Sequence, residues 1–396
     1  MSLYFALILR LSKPFSIKTN CMIYKKLIFI AIFNSLIFNI IAQNRKGVSI
    51  EVNSHFGKII KHTPKLLFTS PPLSTGIEIH LNKQLYGQEE WHQWQRYPSV
   101  GASFFYFNLG NKDVFGTAVG VCPTLNLKFL NSKILRGYFQ IGSGIAFLTK
   151  RYDYLTNPTN NAVGSKLNDI THIKIEFEKS ISQNWKLQSG FSFTHFSNGS
   201  SQTPNYGINI PAMNVGMVYT PNPMDSTGYI RHNISSKPAK RWGVSVHTDL
   251  GFVETSIPGG PRYAVYIASL AGVYHINKVN RLMLGLEYEQ NKDVFAFALQ
   301  STHAMTRDEA FRQASRYSVY VADELMYGRV SILLQLGGYV ATKKSLFISD
   351  FWYDKLGLRW YFPPIGRPAT QFYAGIYLKS HRISAEYLAI GGGATF

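Results

Sequence analysis

Little in this sequence could staple a fold or bind a metal. Its 396 residues hold two cysteines, Cys21 and Cys122, which excludes a disulfide framework and a cysteine-built metal cluster. Acids are scarce: 22 Asp and Glu stand against 41 Lys and Arg, for a formal net charge of +19. Long apolar runs are missing beyond residue 41, and a mean hydropathy of -0.06 excludes a helical membrane protein with several spans. From Gly47 onward no amphipathic helical pattern is found, nor any phosphate-binding loop, nucleotide fingerprint or metal-ligand spacing.

The N-terminus is the exception to the missing apolar runs. Met22-Ile23-Tyr24-Lys25-Lys26 is a basic segment, and Leu27 to Ile41 is apolar apart from Asn34, Ser35 and Asn39. Ala42 before Gln43 offers a cleavage point, so residues 1–42 read as a leader and signal peptide rather than an anchor. A second apolar run, Leu3 to Leu9, precedes it. The preferred reading starts translation at Met22, with a longer leader as the alternative. Cleavage would remove Arg10, Lys13, Lys18, Lys25 and Lys26 and no acid, leaving a charge of +14. An exported chain does not meet nucleic acid, so an anionic lipid surface is the expected partner, against the plainer reading of a solvated basic face. Cys122 is then a lone thiol in an apolar strand, where packing is its ordinary role.

What is abundant is aromatic: 24 Tyr and 27 Phe, residues that suit strands and the interfacial girdles of membrane barrels. Period-two alternation predicts strands near 47–59, 74–85, 99–110, 114–130, 134–150, 165–180, 184–198 and 208–220. A turn-rich connector, Pro221 to Lys240, follows. Further strands are predicted near 241–255, 262–276, 281–290, 293–300, 316–326, 327–341, 352–362, 370–379 and 382–396. Many exceed the usual globular strand and match the roughly nine to eleven residues that cross a bilayer. In Thr171 to Lys179, Ile173, Ile175 and Phe177 share one face, while His172, Lys174, Glu176 and Glu178 share the other. A soluble sandwich could wet that polar face; a membrane barrel turns it into the lumen. The export signal, the number of strands needing closure and the terminal Phe396 favour the barrel, although Gly391-Gly392-Gly393 makes the last strand atypical. The expectation is an all-β, transmembrane antiparallel β-barrel of the outer membrane with about 12–16 strands. One barrel is preferred to two, because half a sheet would leave open edges in lipid. Residues 43–220 form its first portion and 221–396 add further strands. Loops are expected at 86–98, 151–164 and 301–315, with Trp91, Trp94 and Tyr97 as candidates for a membrane interface.

One stretch gathers residue types that chemistry can use: His195-Phe196-Ser197-Asn198-Gly199, then Pro204-Asn205-Tyr206-Gly207-Ile208-Asn209. Phe191, Phe193, His195 and Ser197 share a strand face, with Ser192, Thr194, Phe196 and Asn198 opposite. If the phenylalanines meet lipid, the His–Ser pair does too, a costly placement unless it has a use. Counting back from Met217, Val215 and Met213 through Pro211 puts Asn209 on the outward face of the next strand. Serine as nucleophile, histidine as base and a third group fixing the imidazole make a serine-hydrolase constellation. Asn198 and the peptide N–H groups around Gly199 are candidate oxyanion donors. His-x-Ser alone is a weak signal, and the plain alternative is a polar strand end entering a turn. His247 with Asp249, and His275, sit in alternating strands and read as lumen polar residues.

The two quoted segments resemble the signature of the lipid A 3-O-deacylases, also known as acyloxyacyl hydrolases. The resemblance implies His195 as general base, Ser197 as nucleophile, Asn198 as an oxyanion donor and Asn205 as a support of the loop. The well-known deacylases carry glutamate directly after the Gly-Ile pair, where this chain has Asn209. The outer-membrane phospholipase A family is similar here as well, with His-x-Ser-Asn-Gly and an asparagine at the distance of Asn209. The resemblance thus implies an outer-membrane serine esterase acting on lipid A, with phospholipid hydrolysis or a non-catalytic porin or structural barrel as alternatives. No cofactor is expected. Calcium, which the phospholipase relatives use, stays open because Glu89, Glu90 and Asp153 are available in loops. Expected partners are lipid A or lipopolysaccharide or a phospholipid, the outer-membrane bilayer and a second copy in a homodimer.

Overall fold

The computed structural model describes residues 46–132, 134–224, 226–233, 241–255, 257–300, 305–340, 350–364, 370–382 and 384–396. The segment expected to be a signal peptide, with Met22 and Cys21, lies outside them. Eight strands come first: β1 (Val48–Gly57), β2 (Ser74–Gln84), β3 (Ser99–Asn108), β4 (Thr117–Asn131), β5 (Arg136–Leu148), β6 (Leu167–Ser180), β7 (Trp185–Ser197) and β8 (Ile208–Tyr219). The second eight are β9 (Trp242–Glu254), β10 (Arg262–His275), β11 (Asn280–Asn291), β12 (Ser315–Tyr327), β13 (Val330–Val340), β14 (Trp352–Tyr361), β15 (Gln371–His381) and β16 (Ser384–Thr395). Short helices α1 (Glu90–Trp94), α2 (Lys292–Gln300) and α3 (Arg307–Ala314) lie between strands. Among the described residues no helix is long and apolar enough to cross a membrane.

The all-β antiparallel barrel holds, and the sixteen strands fall within the expected number. The single barrel does not. β8 returns to β1, pairing Tyr219 with Ile50 and Ala212 with Gly57. β16 returns to β9, pairing Leu388 with Phe252 and Thr395 with Ser245. Each half therefore closes on itself. The objection that half a sheet leaves edges in lipid vanishes once each half pairs its own edges. The strand predicted over 293–300 is another correction, because these residues lie in α2. There Val294 and Ala298, one turn apart, are buried while Phe297 and Leu299 are exposed.

Alternation sets what faces where. In the first barrel Phe191, Met213 and Val215 point out and are exposed, while Glu78, His172 and Lys174 are fully buried inside. The middle of the lumen is filled, and toward the rim opposite His195 it opens into a cavity of about 890 Å³ lined by Glu51, Asn126, Glu176 and Glu178. Lys174 Nζ lies 2.9 Å from Glu78 Oε2 and 2.8 Å from Glu176 Oε1, and His80 Nδ1 is 3.0 Å from Glu51. The second lumen follows the same rule, with Lys355 Nζ 2.6 Å from Glu287 and Tyr361 Oη donating to Glu324 at 2.7 Å. His247 and Asp249 are buried on that inward row. Pairing of this kind offsets the cost of burying Lys174, Glu78, Lys355 and Glu287.

The two barrels touch at both rims. Next to the His195 stretch, Ser200 Oγ donates to the Ala385 carbonyl at 2.7 Å. At the opposite rim Lys278 pairs with Glu90 at 2.6 Å. Trp91 meets Tyr327 edge-on at 6.4 Å, which places that tryptophan at the barrel–barrel contact. That rim also carries outward aromatic pairs on both barrels, Trp185 with Tyr219 and Trp242 with Tyr274. Girdles of this kind suit an interface between hydrocarbon and water.

Candidate active site

The site is built on the outside of the first barrel, where β7 and β8 reach the rim. His195 is opposite Asn209 across the β7–β8 pair, and opposite Thr171 across the β6–β7 pair. Directly opposed residues on one face bring their Cβ atoms within about 5 Å. The side chains use that proximity: His195 Nδ1 and Asn209 Oδ1 are 2.5 Å apart. Because an amide oxygen only accepts, the bond fixes the proton on Nδ1 and leaves Nε2 as the basic nitrogen. Ser197 follows two residues later on the same outward row, opposite Asp169 of β6. That carboxylate accepts from Ser143 Oγ at 2.9 Å and from Thr171 Oγ1 at 2.8 Å.

Backbone conformation lets the histidine ring lie where it does. Gly207 has φ +81°, and a Cβ there would come 2.5 Å from His195 Cε1. A side chain at 207 would thus displace the ring as well as strain the turn.

The loop after Ser197 is tied at several points. Asn205 Oδ1 accepts from the Asn198 backbone N–H at 2.9 Å. The Asn198 side chain turns away from the outward row, as strand parity dictates. Its Nδ2 donates to Ser165 Oγ at 2.8 Å and to the Gln202 carbonyl at 2.9 Å, so both amide hydrogens are engaged in holding the loop. Gly199, with φ +59°, packs against the second barrel, where a Cβ would lie 3.0 Å from Leu388 Cβ.

Two contributors were not singled out from the sequence. Asn209 Nδ2 lies 2.9 Å from His62 Nδ1. His62 arrives there because Lys58 and Ile60 continue alongside β8, their N–H groups donating to Pro211 and Asn209 carbonyls at 3.3 and 3.0 Å. Following the outward row Phe56, Lys58, Ile60 one step further would have reached it. Burial and the nearby His195 hold His62 below the usual histidine range, against a backbone contact at Tyr206 that raises it. The second is Glu254, at the rim end of β9. Its Oε2 accepts from the Thr203 backbone N–H, and from Thr203 Oγ1 at 3.0 Å. No local pattern foretells a contact between two barrels.

The three carboxylates considered for calcium do not converge. Glu89 accepts from Trp91 Nε1 at 2.8 Å and Glu90 pairs with Lys278. Asp153 caps a turn through the Leu155 and Thr156 N–H groups, in the loop between β5 and β6 at the other end of the barrel.

Residues 75–218 match the family described as lipid A 3-O-deacylase (PagL), and residues 240–396 match the family described as acyloxyacyl hydrolase, C-terminal domain. Each match covers most of one barrel, and together they place the chain in the lipid A deacylase and acyloxyacyl hydrolase family. The His195–Asn209 stretch lies within the first. Similar solved structures include Neisserial surface protein A, at 7% identity and a TM-score of 0.32, covering 44% of this chain and 97% of that one. The outer membrane enzyme PagL is 15% identical with a TM-score of 0.28, covering 42% and 97%. CdiB from Acinetobacter baumannii is 8% identical with a TM-score of 0.19, covering 88% and 60%. No curated protein matches the chain in sequence.

Proposed function

We propose that the chain is an outer-membrane serine esterase that hydrolyses an acyl ester of lipid A. The observation that carries this reading is the bonded His195–Asn209 pair, aimed out of the barrel wall beside Ser197. Polar side chains on a lipid-facing row are costly, and a substrate that is itself embedded in the leaflet gives them a use. The family match adds the class of ester.

In this mechanism Ser197 Oγ adds to the acyl carbon while its proton passes to His195 Nε2. Asn209 holds the ring and its tautomer throughout. The tetrahedral oxyanion is met by backbone N–H groups around Gly199; Asn198, with its amide already engaged, holds the loop that presents them. A donor of this kind is worth roughly 3 kcal/mol in the transition state. Collapse breaks the ester C–O bond, and the departing alcohol takes the proton from His195. Water then attacks the acyl-serine, giving its proton to His195, and the fatty acid leaves as Ser197 recovers its hydrogen.

Ser197→Ala and His195→Ala should each abolish deacylation, read as the missing loss of one acyl mass from extracted lipid A, while both variants still fold in membranes. Turnover persisting in both would overturn the assignment. Asparagine at 209 favours a second reading, phospholipase A-like activity. Lysophospholipid accumulating beside unchanged lipid A would support it.

A further inference from the structure

An asparagine in the third position creates a difficulty that a carboxylate does not have. Glutamate presents oxygen whichever way it turns, whereas an asparagine rotated by half a turn offers an N–H donor to an imidazole nitrogen that must also donate. The two amide orientations fill nearly the same space, so packing alone does not choose between them. Something must hold the Asn209 nitrogen away from His195.

The geometry points to His62 as the residue that locks Asn209 in its working orientation, making it a positioning residue for His195. Asn209 sits between two histidines, with Oδ1 on His195 Nδ1 at 2.5 Å and Nδ2 on His62 Nδ1 at 2.9 Å. The second bond requires His62 Nδ1 to accept, so the neutral ring carries its hydrogen on Nε2. Burial and the proximity of His195 both disfavour protonation of His62, which keeps that acceptor in place near neutral pH. The chain run that delivers His62 is itself fixed, since the Ile60 N–H donates to the carbonyl of Asn209. One residue is thereby held through both its backbone and its side chain. His62 lies outside residues 75–218, the part that matches the deacylase family.

The inference rests on the esterase reading for its consequence, but not for its geometry. Two measurements separate them. In 15N-histidine NMR of the folded protein, His62 should appear as the Nε2–H tautomer and His195 as Nδ1–H. His62→Ala should shift His195 toward a mixture of tautomers. In the acyl-release assay, His62→Ala should lower kcat about tenfold, the scale of one lost orienting hydrogen bond, with KM nearly unchanged. His62→Gln, which restores an acceptor oxygen, should recover part of the loss. The sharpest arm is the Asn209→Asp background, where the carboxylate has no wrong orientation. There His62→Ala should cost less than about twofold, a non-additivity that marks coupled neighbours. A His62 ring protonated on Nδ1, or an equal loss in both backgrounds, would overturn the lock. Activity surviving in Ser197→Ala would instead sink the esterase reading and leave the tautomer result standing.

Discussion

The two barrels obey one construction rule, yet among the described residues the candidate site lies on the first. Both have eight antiparallel strands, an apolar exterior and a polar lumen crossed by charge pairs. They part at the exterior of the shared rim. There the outward rows of the first barrel carry His195 with the buried Ser197 and Asn209, while those of the second carry Phe252, Leu378 and Leu388. The chemistry proposed for this protein thus rests on a few positions of the outward rows, not on the interior. The first lumen does hold a cavity of about 890 Å³, but it opens at the rim opposite His195 and is lined by Glu51, Asn126, Glu176 and Glu178, a polar setting unlike the outward rim, where an acyl chain could be reached from a bilayer.

The comparison breaks most severely if the lumens are not equivalent. Lys174→Met leaves Glu78 and Glu176 without their cation, and Lys355→Met does the same to Glu287. Removing one partner of a buried pair costs about 3–5 kcal/mol. Denaturant unfolding in lipid vesicles should register losses of that size in both variants. A loss confined to Lys174→Met would mean that the second lumen is wet and its charges solvated.

The exteriors can be tested in the same way, with a smaller effect. Phe191 and Leu286 are exposed at mid-strand, 62% and 61% respectively. An arginine at either site should cost about 2–4 kcal/mol if that face meets lipid at midplane. Equal penalties would establish that both barrels span the bilayer. A negligible penalty at Leu286 would indicate that this face of the second barrel is covered by protein.

Alternation was legible in the sequence because it is a local property: inward polar and outward apolar residues declare themselves two by two, as in Ile173, Ile175 and Phe177 against His172, Lys174 and Glu176. The same parity placed His195, Ser197 and Asn209 on one outward face, and it turned Asn198 the other way, which fits that residue's part in the loop. Closure was not legible, since nothing in β8 distinguishes pairing with β1 from pairing with a ninth strand. The Lys292–Gln300 segment misled because Val294, Phe295, Phe297 and Ala298 satisfy a short strand pattern nearly as well as a helical one. His62 and Glu254 stayed hidden for a topological reason. Their partners are 147 and 51 residues away, and only the folded registers bring them together.

The smallest effect concerns what the second barrel does for the first. Glu254 fixes Thr203, so the loop bearing Asn198 and Gly199 is held partly by the second barrel. Glu254→Ala strands the Thr203 N–H but leaves three ties, the Thr203 Oγ1 donation to the Thr255 carbonyl at 3.0 Å, the Glu254 N–H to Ser200 carbonyl contact at 3.4 Å and the Ser200 Oγ bond to Ala385. The loop should loosen rather than detach. A severalfold fall in kcat follows, up to about tenfold. The denaturation midpoint should hold, because Glu254 sits at a rim and no lumen charge depends on it. Glu254→Gln keeps an acceptor oxygen and should retain most of the rate. If Glu254→Ala turns over as fast as the native chain, the first barrel works alone and the second is only its neighbour. If the loss appears and Gln reverses it, the apolar barrel is part of the catalytic apparatus, because it sets the position of the loop that must meet the oxyanion.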